Sequence, residues 1–466
     1  MPQENTTLGE TMPIIPVARS SAYRSIPEIL AITLYDKLFP GQLRLVPQLN
    51  EVYELELAFY ESQLLSEAEI IANGAYFAEV SGQPTRHFLM CHGEPLRLAQ
   101  HSSSRLKSFF KSNQFKTGYG THGLFPYRGK FHPQMIKGLI NAMGLKPGDI
   151  VLDPMMGSGT VLIEASLMGI NSLGVDASPF CEFMTKAKIA GLTIPLEAIG
   201  EAIRSFPKTL EHFNGLQQEV PHSPSQEQAS LFCQDPLCHP TVRSQAATSA
   251  NEDAYNYLLL AFLDAKGYAQ RSNRKTFKEQ FKAILERYYF VAEKIQQAIN
   301  RLHIDLGSAT AISGDARKLP VEDASIDGII FSPPYSFAID YLENDEYHLK
   351  SMGIDINSLR QGMIGLRGRN LKDKYSLYLS DMEMVISECS RVLKDGHICS
   401  IVVGTNNNQL SKILGVNPRE VPGIDETLIE ISKSKHLNCL KRIERQITGM
   451  ANTMRTEYIL MLQKNK

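Results

Sequence analysis

The chain has 466 residues, 43% of them hydrophobic and 21% charged, a balance that excludes a disordered or fibrous protein. Lys and Arg number 48 against 50 Asp and Glu, a net charge of −2, so the chain is not a basic nucleic-acid coat and any anion-binding face must come from local clustering. No apolar run approaches the roughly 18 residues of a membrane helix, the N-terminus lacks a secretory pattern, and scattered cysteines fit reduced thiols; a cytoplasmic location without membrane contact is expected.

Residues 1–115 carry no recognisable motif and form an N-terminal extension to which the sequence assigns no role. Helical periodicity runs through parts of 25–65, with Ile29, Leu30, Ile32, Leu34, Tyr35 and Leu38 in phase. Arg97, Arg105, Lys107, Lys111 and Lys116 follow without an acidic residue among them, interleaved with Phe109, Phe110 and Phe115. A solvated helix face is the plain reading of that stretch, a phosphate-tracking surface the sharper one.

The segment 116–200 reads as two strand–helix units: a strand at Ile150 to Leu152, a helix at Thr160 to Leu167, a strand from Asn171 ending at Asp176, and a helix at Phe180 to Ala190. Such alternation argues for a parallel α/β sheet. In 201–305 the pattern breaks. The run beginning GLQQEVPHSPSQ reads as a loop, and 253–303 is helical, with Phe277, Phe281, Ile284, Tyr288, Val291, Ile295, Ile299 and Leu302 at three- and four-residue spacing. This block separates two parts of the sheet and reads as a helical insert.

From 306 to 466 the α/β pattern resumes. One strand ends at Asp315 and another at Phe331, a helix covers 380–393, a strand begins at His397, and 437–463 reads as a closing antiparallel hairpin turning at Gly449.

Four places carry chemistry. Asp153-Pro154-Met155-Met156-Gly157-Ser158-Gly159-Thr160 lies between a strand and a helix, where glycines let the backbone approach a ligand and the helix offers free N–H groups. Leu162 stands where a dinucleotide fingerprint wants its third glycine, and no Lys follows Gly159 as a P-loop requires; both nucleotide readings are disfavoured. Asp176 and Asp315 end the two following strands. Isolated aspartates there are usually helix caps, but in register with a glycine loop Asp176 can accept from ribose hydroxyls and Asp315 from an adenine amino group. Finally, Ser332-Pro333-Pro334-Tyr335 follows an apolar strand. Its prolines lock the backbone and remove two N–H donors, leaving carbonyls to accept from an exocyclic amine. Tyr335 offers a flat face to a planar base, and Ser332 a second acceptor.

With both motifs in place, the chain resembles the S-adenosylmethionine-dependent amino-methyltransferases that modify nucleic-acid bases, and its Ser-Pro-Pro-Tyr form resembles the cytosine-N4 DNA enzymes in particular. The run Phe125-Pro-Tyr-Arg-Gly-Lys-Phe131 is similar to the segment that precedes the glycine loop in that family. The resemblance implies a Rossmann-like methyltransferase sandwich, α/β, with a mostly parallel seven-stranded sheet. It implies S-adenosyl-L-methionine as cofactor, held by Phe131, Asp153, Gly157, Gly159, Thr160, Asp176 and Asp315, and catalysis by Ser332, Pro333, Pro334 and Tyr335. On this reading 116–200 is the cofactor-binding half, 306–466 the catalytic half, and 201–305 a candidate for target recognition. The implied partner is DNA, entered by a flipped base, with a restriction endonuclease as a companion; RNA, in the manner of the tRNA guanine-N2 enzymes, is the alternative. A catalytically silent nucleic-acid-binding protein is the rival from another class.

Three further stretches have plain readings. Arg360, Arg367, Arg369, Lys372 and Lys374, interspersed with Gly362, Gly365 and Gly368, read as a flexible basic loop placed to clamp phosphates. In the insert, Arg271, Arg274, Lys275, Lys278 and Lys282 read as a solvated helix face. The segment from Asp340 to His348 reads as a helix start, with a place beside the pocket as the alternative for Asp340 and Tyr341, which closely follow the proline loop. Cys233, Cys238 and His239 have poor zinc spacing, so no metal is expected, and Cys181 and Cys399 read as core. No Pro-Cys nucleophile is present, which disfavours ring-carbon chemistry.

Overall fold

The computed structural model describes residues 38–47, 49, 51–92, 118–127, 129–215, 249–271, 275–334, 341–418, 420–446 and 456–465. The chain divides into compact units at Gly41; only 38–41 of the first are described, and every strand of both sheets lies in the second, Gln42–Lys466.

A small antiparallel sheet of β1 (Leu43–Leu45), β2 (Phe77–Val80) and β3 (Gln83–Pro84) opens the described chain. With it go α1 (Val52–Leu64), α2 (Glu67–Asn73) and α3 (Arg86–His92). Glu61 of α1 is fully buried; its carboxylate accepts from the Ala75 and Tyr76 N–H groups and from Asn141 Nδ2 at 2.6 Å. That bond fastens this sub-structure to α4 (Pro133–Ala142), which begins at a proline whose missing N–H costs nothing in a first turn.

The main sheet has seven strands in the order β6-β5-β4-β7-β8-β10-β9. In chain order these are β4 (Ile150–Asp153), α5 (Thr160–Leu167), β5 (Asn171–Asp176), α6 (Pro179–Ala190), then β6 (Ala309–Ser313) and β7 (Ile326–Phe331) beyond the insert. All their pairings are parallel, as is that of β7 with β8 (Leu393–Thr405). The last strand, β10 (Thr456–Lys464), runs antiparallel between β8 and β9 (Leu437–Gln446). This is the Rossmann-like α/β sandwich expected, with its single reversed strand. Side chains two apart along the strands (Ile329 and Phe331, Cys399 and Ile401, Leu460 and Leu462) share one core with Tyr378 and Val385. On the other face of β7, Gly328 lies under Met143 and Leu145.

Helix α7 (Leu196–Arg204) straddles the expected boundary at 201, and the insert then contains α8 (Phe206–Gly215), α9 (Ser249–Arg271) and α10 (Phe277–Arg301). The periodicity expected over 253–303 is therefore two helices. The second starts at a capping box in which Thr276 Oγ1 accepts from the Glu279 N–H. Tyr257, Phe262, Phe281 and Tyr288 of this pair share a core with Phe125 and Phe180 of the sheet half and with Leu342 and Leu349. The loop read at 216–230 lies outside the described residues.

After β7 come α11 (Tyr341–Ser351), α12 (Ile356–Gly362), α13 (Leu371–Val392), α14 (Asn407–Leu414) and α15 (Ile424–Ser434). Two expectations shift. The strand read as ending at Asp315 stops at Ser313. The basic stretch 360–374, read throughout as a loop, is one only over 363–370: its first residues end α12, and Asn370 Oδ1, accepting from the Asp373 N–H at 2.9 Å, starts α13. Among the described residues no helix is long and apolar enough to cross a membrane.

Candidate functional site

Strand order reverses between β4 and β7, and in open α/β sheets ligands bind beyond the carboxyl ends of the strands at such a point. A cleft opens there. Phe131, Gly157, Thr160 and Asp176 line it together with Ser332 and Pro334, so the glycine loop and the proline loop face one space.

The glycine loop is shaped by its backbone. Gly159 has φ +74°, and a Cβ there would lie 2.4 Å from Thr185 Cγ2. Only glycine satisfies both demands without strain. Gly157 has φ +48°, with the Tyr127 ring 3.1 Å from where a Cβ would be. Beneath the loop, Asp153 is fully buried. Its Oδ1 accepts from the Met155 N–H at 3.1 Å, while Oδ2 and Thr160 Oγ1 are buried with no hydrogen-bond partner among the described residues. Burial pushes the Asp153 carboxyl well above the usual carboxylate range.

Asp176 lies at the cleft. Its Oδ2 accepts from the Gly157 N–H at 2.9 Å and its Oδ1 from the Ser178 N–H at 2.8 Å, so the carboxylate holds the loop while each oxygen keeps acceptor capacity. Burial raises its carboxyl, and those two bonds oppose the rise. Asp315 stands apart. It is not among the lining residues, and Arg317 engages it from Nε at 2.9 Å and Nη2 at 2.8 Å. Pro333 is buried beside the two lining residues Ser332 and Pro334. Tyr335 and Asp340 lie outside the described residues.

The cleft also contains residues that motif reading missed: Tyr127, Lys130, Cys181, Asp345 and Met363. Cys181, expected in the core, is buried but reaches the cleft, and its thiol donates to Tyr127 Oη at 3.6 Å. Lys130 donates to the His122 carbonyl at 2.7 Å, and burial brings its ammonium down to about 8. Tyr127 and Lys130 sit in the aromatic segment already singled out, so adjacency to Phe131 was their signal. Asp345 had only its place on a helix face, since no local motif contains it.

Of the basic residues at 360–374, Arg367 is bound to the buried Asp381, which Arg317 also contacts. Arg369 and Lys372 are exposed. The same segment touches the proline loop, for a Cβ on Gly365 would lie 3.7 Å from Pro334. In the insert, Lys278 and Lys282 are exposed on α10, as a solvated face requires, and Lys275 is exposed just before its N-cap. Arg274 and the cysteine–histidine run at 233–239 lie outside the described residues, and no metal-binding cluster occurs among the described ones.

Residues 124–236 match the family UPF0020, an RMKL-like methyltransferase domain. Over 317 residues the chain is 26% identical to the type II methyltransferase M.BsoBI of Geobacillus stearothermophilus, covering 58% of this chain and 62% of that one. It is 46% identical over 68 residues to the type II methyltransferase M.MjaII of Methanocaldococcus jannaschii, 15% of this chain and 13% of the relative. A shorter stretch of 52 residues, 11% of this chain and 16% of the relative, is 44% identical to a tRNA (guanine(10)-N2)-dimethyltransferase of Methanothermobacter thermautotrophicus. The chain thus spans less than two thirds of each of these relatives. These matches bear out the resemblance to S-adenosylmethionine-dependent nucleic-acid methyltransferases, and with it the cofactor. The site suits that cofactor: a glycine backbone at the cleft wall, a buried Thr160 hydroxyl there with no hydrogen-bond partner among the described residues, and the strand-end carboxylate of Asp176.

Proposed function

We propose that the protein transfers a methyl group from S-adenosylmethionine to an exocyclic amine of a nucleic-acid base, with cytosine N4 in DNA as the target. One observation carries the reading: Ser332 and Pro334 line the same cleft as Gly157, Thr160 and Asp176. Donor and acceptor of a displacement must meet in one space.

The cofactor, when bound, supplies an electrophilic methyl on a sulfonium. The rest falls to the chain. Asp176 would accept from ribose hydroxyls, the backbone of Gly157 to Thr160 would hold the cofactor together with Asp153 and the Thr160 hydroxyl, and Phe131 would wall the methionine end. Asp315 joins the adenine only if it shares or leaves Arg317. On the opposite side, an aryl amine is a poor nucleophile because its lone pair is delocalised into the ring. Hydrogen bonds from its two protons to Ser332 Oγ and the Pro333 carbonyl favour a pyramidal nitrogen whose lone pair points at the methyl. Positioning supplies most of the rate in such a step. A base in a duplex reaches the cleft only by flipping out, at a few kcal/mol. Stacking on Tyr335, worth about 1–3 kcal/mol per base, offsets part of that cost. Arg369 and Lys372, on a segment that touches the proline loop, receive flanking phosphates.

Two of the relatives are named as type II methyltransferases, which favours DNA, with a restriction endonuclease as companion. The tRNA relative supports the second reading, an RNA guanine-N2 enzyme using the same cleft. In either case Ser332→Ala and Tyr335→Ala are expected to abolish transfer and leave cofactor affinity, measured by calorimetry, within about twofold of wild type. A hydrogen-bonding or stacking role toward the base requires both effects. Full activity in both variants would refute the catalytic assignment.

A further inference from the structure

Helix α11 is amphipathic in an unexpected way. Leu342 and Leu349 are buried at 2% and 0% exposure, and His348 stacks on the Phe180 ring at 5.2 Å between centroids and 8° between planes. Asp345 lies on that same face, one turn after Leu342 and one turn before Leu349, where the helical period calls for an apolar side chain. Asp345 is half-buried there, and an aspartate is rarely withdrawn from water without a partner. The cation of its own helix, Lys350, is bound to Glu346 on the outer side at 2.6 Å. Among the described residues no hydrogen bond to Asp345 is found. The charge it feels is that of Asp176, and Tyr127 and Cys181 in turn feel both carboxylates. Burial first, and Asp176 second, push the Asp345 carboxyl up to about 7.

A helix that spends an inward-facing position on a half-buried acid, and sets it in a cleft with another acid, loses stability by doing so. The arrangement makes sense if something absent from the chain brings hydrogen-bond donors and positive charge between the two carboxylates. S-adenosylmethionine carries both: hydroxyl and ammonium donors and a sulfonium cation.

We propose that Asp345 is a cofactor-binding residue, and that Asp176 from the cofactor half and Asp345 from the catalytic half form a two-carboxylate clamp closed by the donor groups of S-adenosylmethionine. This rests on the cofactor reading of the cleft and adds to it a residue that no motif marks. Asp345 follows the proline loop in sequence and is held by Leu342, His348 and Leu349 against α6 and the insert. It therefore links cofactor occupancy to the segment that presents Ser332.

The test uses the full chain, calorimetry with S-adenosylmethionine and thermal melting without it. Asp345→Asn is expected to weaken cofactor binding roughly 10- to 100-fold, the effect of losing hydrogen bonds to a charged acceptor. Asp345→Leu is expected to weaken it at least as much and to raise the melting temperature of the ligand-free protein, since a desolvated acid is replaced by the residue type the helix face calls for. A purely structural role gives the opposite sign, a lower melting temperature with affinity unchanged, and would overturn the proposal. So would Asp345→Asn binding S-adenosylmethionine as wild type does while losing turnover, which would place Asp345 on the target base. If wild type itself fails to bind S-adenosylmethionine, the cofactor reading falls, and the clamp with it.

Discussion

At the scale of single residues, the site depends on positions where only one side chain works. Gly159 is the sharpest. Alanine there meets Thr185 Cγ2 at 2.4 Å and must hold φ +74°, so both contact and backbone oppose it. Gly159→Ala is expected to cost about 1–3 kcal/mol of stability and to weaken S-adenosylmethionine binding, read by thermal melting and calorimetry. A variant that melts and binds as wild type does would mean that the loop relaxes freely and the cradle is not built around this glycine. Motif spacing reached the cleft-lining Gly157, Thr160, Asp176, Ser332 and Pro334 because each lies at or soon after the end of its strand, so that position in sequence sets position in space; Asp153 and Gly159, read by the same spacing, are not among the lining residues. The same logic placed Asp315 at a strand end, but its engagement by Arg317 depends on a side-chain geometry that spacing does not encode. Asp345 was invisible for a related reason: its place in the cleft is set by how α11 packs on Phe180 and on the insert, contacts far apart in sequence.

At the scale of elements, one buried polar group joins several of them. Glu164 of α5 is fully buried and contacts His122 Nε2 at 2.6 Å, Tyr119 Oη at 2.5 Å and Lys137 Nζ at 3.4 Å. Burial alone would raise its carboxyl, but Lys137, His122 and Tyr119 outweigh it and hold the group at about 2. In the unfolded chain a glutamate titrates near ~4.3. The folded state therefore takes up this proton later. The stabilisation is complete above the unfolded value and is lost as pH falls toward 2. Glu164→Gln is expected to cost about 3–5 kcal/mol at pH 7, because it leaves Lys137 buried without its carboxylate, and the gap from wild type is expected to narrow in acid. Urea unfolding of both proteins at pH 7 and pH 3 checks this; a gap that does not change with pH would contradict it. Element boundaries were well read where the apolar period was unbroken, as in α5, β5 and β7. They slipped at α13, whose first turn carries an exposed Leu371 with Lys372 and Lys374 and directly follows the glycine-containing loop. The short strands β1 to β3 offered too few residues for a period to emerge.

For the molecule as a whole, strand–helix alternation was enough to give the parallel sheet and its reversed last strand, because chain connectivity leaves few ways to cover both faces. What alternation did not show is that the insert is part of the same body. Tyr257, Phe281 and Tyr288 are buried in one cluster with Phe125, Phe180 and Leu342, so the helices between the halves brace the helix that follows the proline loop. The division at 201–305 is thus one of sequence order, and we propose that this block supports the catalytic half whether or not it also meets the target. The claim that unites the three scales is that one cleft joins a methyl donor to a base amine. The most direct measurement is transfer of a radiolabelled methyl group from S-adenosylmethionine to duplex DNA and to bulk tRNA in parallel, with chromatography of the product nucleosides. Label in N4-methylcytosine from DNA is the expected result. Label in tRNA guanine would keep the cleft and move the substrate, and no label in any base amine, from a protein that binds the cofactor, would contradict the claim.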